Sequence, residues 1–348
     1  MGRAVRESSG FSVRCIRMQV TRAVVLAGGG SDGPGWPSVP PGPKPLVHVG
    51  NRPILFHSLE GLRRTGVDEV LVAVDPETGP AIRAAVGDGS IWGLDVRFAD
   101  CTAASGLPGT LPALHDFAGE HSVLVQHADS LLGDDVGPHV ARFGADALDA
   151  LALRLDGSTR SALDDPLDGA WLFSAWARTI LAESDAAGHD PVAAVRARGA
   201  QIDVRYVEGC RPCQGSQDTL LDANRRVLED LRRSVVPDAV LESEVQGRVV
   251  IHPTASVERS LVRGPVIIGP GSRIVDAYVG PYTSIGADVV VEGAEVEHSI
   301  LLPRAELRFT GARLETSVIG EGARVTRHFR TPNALRLSIG AGAEVALS

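Results

Sequence analysis

The chain of 348 residues is long enough to bury two hydrophobic cores. Its 44% apolar and 22% charged residues describe a globular protein, and its formal net charge of −9 argues against a general nucleic-acid or anionic-membrane binder. No apolar run approaches the ~20 residues of a membrane span, and four scattered cysteines are too few for a secreted disulfide scaffold, so a reducing cytoplasm is the expected setting.

Residues 1–20 carry arginines but no continuous apolar segment. They do not read as a signal peptide and are expected to form a disordered extension ahead of the first strand. From Thr21 to about Val207, β-branched runs alternate with amphipathic stretches. Strands are predicted at Arg22–Ala27, Glu69–Val74, Asp95–Ala99, Ser122–His127, Ala150–Leu155, Ala170–Ser174 and Ile202–Val207. Helices are predicted at Pro53–Thr65, Thr78–Val86, Pro108–Phe117 and Asp190–Arg198. This alternation implies an α/β, Rossmann-like and mostly parallel sheet, whose ligands bind at the carboxyl ends of the strands near a switch in strand order. The first strand runs into Gly28-Gly29-Gly30, and Pro43-Lys44-Pro45 follows. Glycines let backbone N–H groups approach phosphate oxygens, and a lysine fixed between two prolines adds a point charge. The intervening Ser31-Asp32-Gly33-Pro34 contains an acid and no cation.

Asp218–Arg233 reads as one amphipathic connecting helix, with Leu221, Val227, Leu228 and Leu231 on one side. Beyond Val245 a six-residue pattern recurs, as in Ile268-Gly269-Pro270, Ile285-Gly286-Ala287, Ile319-Gly320-Glu321 and Ile339-Gly340. A hexapeptide period is the mark of a left-handed parallel β-helix, with three hexads to a triangular rung. The expected organisation is a sheet domain over 21–215, a helix and linker over 216–246, and a β-helix over 247–348. The flat sides of the β-helix, with Val289 and Leu301 taken as exposed, predict self-association.

Leu26-Ala27-Gly28-Gly29, Pro43-Lys44-Pro45-Leu46, Ala84–Ser90, Leu220–Leu231 and Ser284–Asp288 with Glu297–Ile300 together resemble the sugar-1-phosphate nucleotidyltransferases. Within that family the chain resembles most the long form of glucose-1-phosphate thymidylyltransferase. The resemblance implies a reaction in which a sugar 1-phosphate attacks the α-phosphorus of a nucleoside triphosphate and pyrophosphate leaves. Mg²⁺ held by two aspartates would assist. It assigns Gly28, Gly29 and Gly30 to the nucleotide-binding turn, Gly106 to the nucleobase or sugar, Lys44 to a phosphate and Asp129 to the metal.

Other parts of the family's pattern are replaced. Gly33 stands where the resemblance expects the triphosphate arginine, Cys101 where it expects a base-reading glutamine, and Cys213 where it expects the second metal aspartate. The Glu-Lys-Pro segment that holds the sugar has no counterpart in Arg154–Asp168. The implied function is a degenerate homologue with weak or absent pyrophosphorylase activity. It would act as a regulatory or assembly partner, as a homo-oligomer or beside an active homologue. The alternative is an active enzyme, on the family's substrates or on a changed one, that uses the retained turn and Lys44. Cys210 and Cys213 form a C-x-x-C pair. Together with His127 and Asp129 they are either ligands of a softer metal such as Zn²⁺ or buried thiols filling space.

Overall fold

A computed structural model describes residues 20–28, 43–101, 106–134, 136–155, 169–183, 195–210, 216–235 and 239–327. Seven strands form the central sheet: β1 (Arg22–Leu26), β2 (Glu69–Val74), β3 (Asp95–Asp100), β4 (Val123–His127), β5 (Ala150–Leu155), β6 (Gly169–Phe173) and β7 (Ile202–Val207). Their order is β7-β5-β6-β4-β1-β2-β3. All neighbours are parallel except β6, which runs against both β4 and β5. The chain steps from β1 outward through β2 and β3, then returns to place β4 on the other side of β1. The crevice beyond the ends of β1 and β4, where Leu26 faces His127, is therefore the switch point.

Both faces of the sheet are covered. Helix α1 (Ile54–Arg64) buries Ile54, Leu55, Ser58, Leu59 and Leu62, an i, i+4 stripe against one face. Helix α2 is Gly79–Val86, and α3 (Gly106–Ala118) lies on the opposite face. Helix α4 is Val136–Phe143 and α5 is Ala175–Glu183. Two arginines hold the far end of α3. Arg22 donates to the carbonyls of Phe117 and Ala118 at 3.1 and 3.0 Å, and buried Arg178 donates to those of Gly119 and His121 at 2.7 and 2.6 Å. These bonds satisfy carbonyls that the helix itself leaves open. The helix expected over Asp190–Arg198 falls mostly outside the described residues.

Helix α6 (Gln217–Glu229) starts at Ser216, whose hydroxyl accepts the Thr219 amide at 3.2 Å. A three-sided parallel β-helix follows from Val240, built from one sheet of six short strands and two of five. Val257, Ile274, Val291 and Leu307 form one inward column, each less than 1% exposed. Most strands pair with partners seventeen residues on, as in Val240 with Val257 and Ile268 with Ile285, so a rung is one residue shorter than three hexads. At one corner Glu242, Arg259 and Asp276 recur at that spacing, all left-handed with φ of 45–48°. The sequence-based surface assignment of two aliphatics is wrong. Val289 is 0% and Leu301 1% exposed, because both point into the core. The flanks instead carry stacked ion pairs, including Arg259–Asp276 at 2.8 Å and Arg313–Glu295 at 3.0 Å.

Val49, Ile54 and Leu131, which lie outside the seven sheet strands, share a small apolar core with Leu220 and Leu221 of α6 and Ile300 of the β-helix. The expected repeat at Ile339-Gly340 lies outside the described residues.

Candidate functional site

Gly28 lies just past β1 at the switch point. A Cβ placed there would stand 3.3 Å from the Asp75 amide nitrogen and 3.7 Å from Asp75 Cβ, so the turn passes close over the end of β2. Asp75 is 4% exposed. Its Oδ1 accepts the amides of Glu77 and Thr78 at 3.0 and 2.7 Å, and its Oδ2 accepts the Thr78 hydroxyl at 2.7 Å. It thereby ties down the turn that opens α2. The sequence signal for this carboxylate was Asp-Pro directly after an apolar strand, which the sequence reading passed over. Gly29 and Gly30 lie outside the described residues, as do Ser31–Pro34.

Lys44 opens a single 3₁₀ turn, Lys44–Leu46, and is half-buried. No ion pair with another described residue engages it. It is the one lysine in the chain, the other 33 of 34 basic side chains being arginine. Gly106 begins α3, and half-buried Cys101 follows the end of β3.

His127 ends β4 and Asp129 lies in the turn beyond it; both are half-buried. The Ala128 amide donates to the Leu26 carbonyl at 3.0 Å and the Ser130 amide to the His127 carbonyl at 3.2 Å. The strand therefore turns before Asp129, and the two side chains do not share an extended strand face. Gly209–Cys210 pairs antiparallel with Leu131–Leu132, setting Cys210 opposite Leu131, two residues past Asp129. Cys213 lies outside the described residues. No group of three metal-ligating side chains occurs among the described residues.

A cavity of about 620 Å³ opens on the α1 side, walled by residues that include Arg52, His57, Arg64, Gln126, Asp134 and Arg226. Gly28, Lys44, His127 and Asp129 do not line it. Its arginines are already paired, Arg52 with Glu60 at 2.7 Å, Arg64 with Asp134 at 3.3 Å and Arg226 with Glu208 at 3.0 Å, so it is not a ready phosphate site.

Two histidines follow the Lys44 turn, His48 just after it and His57 on α1, and sequence reasoning assigned neither. Burial lowers the pKa of His48 from its ordinary 6.5, opposed by the charge of Glu321. Burial also lowers that of His57, opposed in part by its hydrogen bond to the Val49 carbonyl at 3.0 Å. A group whose pKa is depressed on folding contributes stability that is complete above its unfolded value and is lost as pH falls through the folded value. Thermal melting is therefore expected to be flat from pH 8 to 7 and to decline below roughly 6.5, the unfolded histidine value. His57→Gln is expected to shallow that decline. Melting curves across pH check this, and an unchanged slope in the variant overturns the assignment.

The nucleotidyl transferase family pattern matches residues 22–160. A glucose-1-phosphate thymidylyltransferase of Streptomyces antibioticus is 30% identical, over 94% of this chain and 99% of that protein. One from Streptomyces griseus is 32% identical, over 92% and 97%. The chain belongs to the sugar-1-phosphate nucleotidyltransferase family. The low-salt glycan biosynthesis nucleotidyltransferase Agl11 of Haloferax volcanii is 27% identical over 93% of this nucleotidyltransferase homologue and 99% of its own length. Among solved structures, a Bacillus anthracis protein assigned as a glucose-1-phosphate thymidylyltransferase, crystallised with sucrose, superposes with a TM-score of 0.50 at 19% identity. It covers 62% of this chain and 97% of its own, a likeness of fold.

Proposed function

We propose that this family member binds a nucleoside phosphate or sugar phosphate at the Gly28–Gly30 turn and Lys44, and turns it over weakly or not at all. Its role would be regulatory or structural, in an assembly with its own copies or with an active homologue. What carries the proposal is a contrast within one site. The only lysine of the chain stands where the resemblance expects a phosphate contact, while Gly33 and Cys213 stand where it expects an arginine and the second metal aspartate. In a chain this committed to arginine, one lysine between two prolines points to a need for a compact ammonium.

The donors offered for Mg²⁺ do not fit that ion. Mg²⁺ takes hard oxygen ligands, and here one carboxylate, Asp129, is matched with the thiol of Cys213. No catalytic step through the metal follows from this set. A second reading, an enzyme working on a changed substrate, draws on the same retained lysine.

Calorimetric titration with nucleoside triphosphates, with and without Mg²⁺, tests the binding role. Micromolar binding is expected. Lys44→Ala is expected to weaken it about 10- to 100-fold, the equivalent of the ~1.5–3 kcal/mol of a charged hydrogen bond. No heat of binding from the unaltered protein, or an affinity indifferent to Lys44→Ala, overturns the proposal.

A further inference from the structure

The segment that carries Lys44 is a closed hairpin. The Val47 amide donates to the Lys44 carbonyl at 3.1 Å, and the Ile54 amide donates to the Val47 carbonyl at 2.9 Å. Between these bonds His48–Val49 pairs with Arg52–Pro53. The two tip residues, Gly50 and Asn51, are both left-handed, with φ of 54° and 67°, the geometry of a tight two-residue turn. Lys44 stands at one end of this rigid unit and the tip at the other.

The tip enters a slot between α6 and the β-helix. A Cβ on Gly50 would lie 2.5 Å from Val227 Cγ1, so no side chain fits there. Asn224 of α6 is 0% exposed and faces the tip. Its Oδ1 accepts the Gly50 amide at 2.9 Å and also the Ser284 hydroxyl, and its Nδ2 donates to the Tyr282 carbonyl at 3.1 Å. Asn51 Nδ2 adds a bond to the Ile285 carbonyl at 2.6 Å. Asn224 lies on the apolar stripe of α6, between buried Leu221 and Leu228. A leucine there would pack the helix as well and leave the Gly50 amide and Tyr282 carbonyl without those partners, so an amide is needed only if the three elements must hold one register.

Resting on the phosphate role assigned to Lys44 above, we propose that Asn224 is a positioning residue for that lysine: it bolts the Gly50–Asn51 tip to α6 and to the Tyr282–Ile285 rung, and so sets where the ammonium group stands. The β-helix is then mechanically joined to the phosphate site. A protein that grips the β-helix and shifts this rung would change phosphate affinity without touching the crevice.

The single lysine makes the test direct. An amine-acylating reagent read by peptide mass spectrometry reports Lys44, with the chain's amino terminus as internal reference. Asn224→Ala is expected to change the acylation rate of Lys44 several-fold. Leu307→Ala, a destabilising change in the distant β-helix core, is expected to leave it unaltered. In parallel, triphosphate affinity should fall about tenfold in Asn224→Ala, equivalent to ~1.4 kcal/mol. In a Lys44→Ala background the same change should do nothing further, since a residue acting through the lysine has no lysine left to act on. If Asn224→Ala does not fold, Ser284→Ala and Asn51→Ala each remove one bond of the same clamp and carry the comparison. An acylation rate that ignores these variants, or affinity losses that add to that of Lys44→Ala, overturns the proposal. Should the unaltered protein bind no triphosphate, the phosphate role of Lys44 falls, while the acylation rates still decide whether Asn224 positions it.

Discussion

Supplied with dTTP, glucose 1-phosphate and Mg²⁺, the protein is expected to release pyrophosphate at below about 0.01 s⁻¹, a thousandth of the ~10 s⁻¹ typical of enzymes. The size of the expected deficit follows from the charge that the proposed reading leaves out. Phosphoryl transfer depends on cations around the transferred group, and one such group is worth a factor of ~10³ or more. On the proposed reading, Gly33 stands where the family has a cation and Cys213 where it has a metal carboxylate, and Asp32 adds a negative charge to the loop. Gly33→Arg combined with Cys213→Asp is expected to raise turnover to a measurable level. A coupled pyrophosphate assay reads both proteins. Release near 10 s⁻¹ from the unaltered chain would show that the missing groups are supplied elsewhere.

Gly169→Ala is expected to cost about 3–5 kcal/mol of stability, at the upper end of what single substitutions do. Gly169 opens β6 with φ +118°, and a Cβ there would lie 1.9 Å from the Leu153 carbonyl oxygen. The obstacle is the backbone of β5 inside the sheet, opposite Arg154 in the register, so no rotamer change relieves it. Gly61→Ala on α1 is the matched control. Nothing lies within 4 Å of the added atom, and removing a helix glycine is expected to be neutral or to stabilise by up to ~1 kcal/mol. Urea transitions followed by circular dichroism compare the two. A Gly169→Ala midpoint close to that of the unaltered protein would rule out the clash.

The strands were legible because they are short, apolar and separated by helices of clear period. Glu69–Val74, Ala150–Leu155 and Ile202–Val207 appear with the boundaries read from sequence. The β-helix was legible from its recurring aliphatics, but not its rung length, since corner residues can be dropped without disturbing the inward column. Val289 and Leu301 were misplaced for the same reason: a valine in a repeat of many valines does not say which way it points. Asn224 and Asp75 went unread because each takes its meaning from backbone groups distant in sequence. Asn224 left one trace, a polar residue on an otherwise apolar helix stripe.

Rungs of sixteen to eighteen residues give the β-helix a length that changes only in whole steps. Each rung adds one strand spacing, ~4.8 Å, and the six-stranded side thus spans about 24 Å from first strand to last. Removing a whole turn would shorten the shaft by one step and leave the ion pairs within the remaining turns as they are. Removing a residue at a corner would leave the strands stacked, as the pairings sixteen and eighteen residues apart show, whereas removing one from within a strand would put its inward aliphatic out of line. The shaft is a ruler divided in rungs, so relatives with longer or shorter β-helices are expected to differ in height by whole turns.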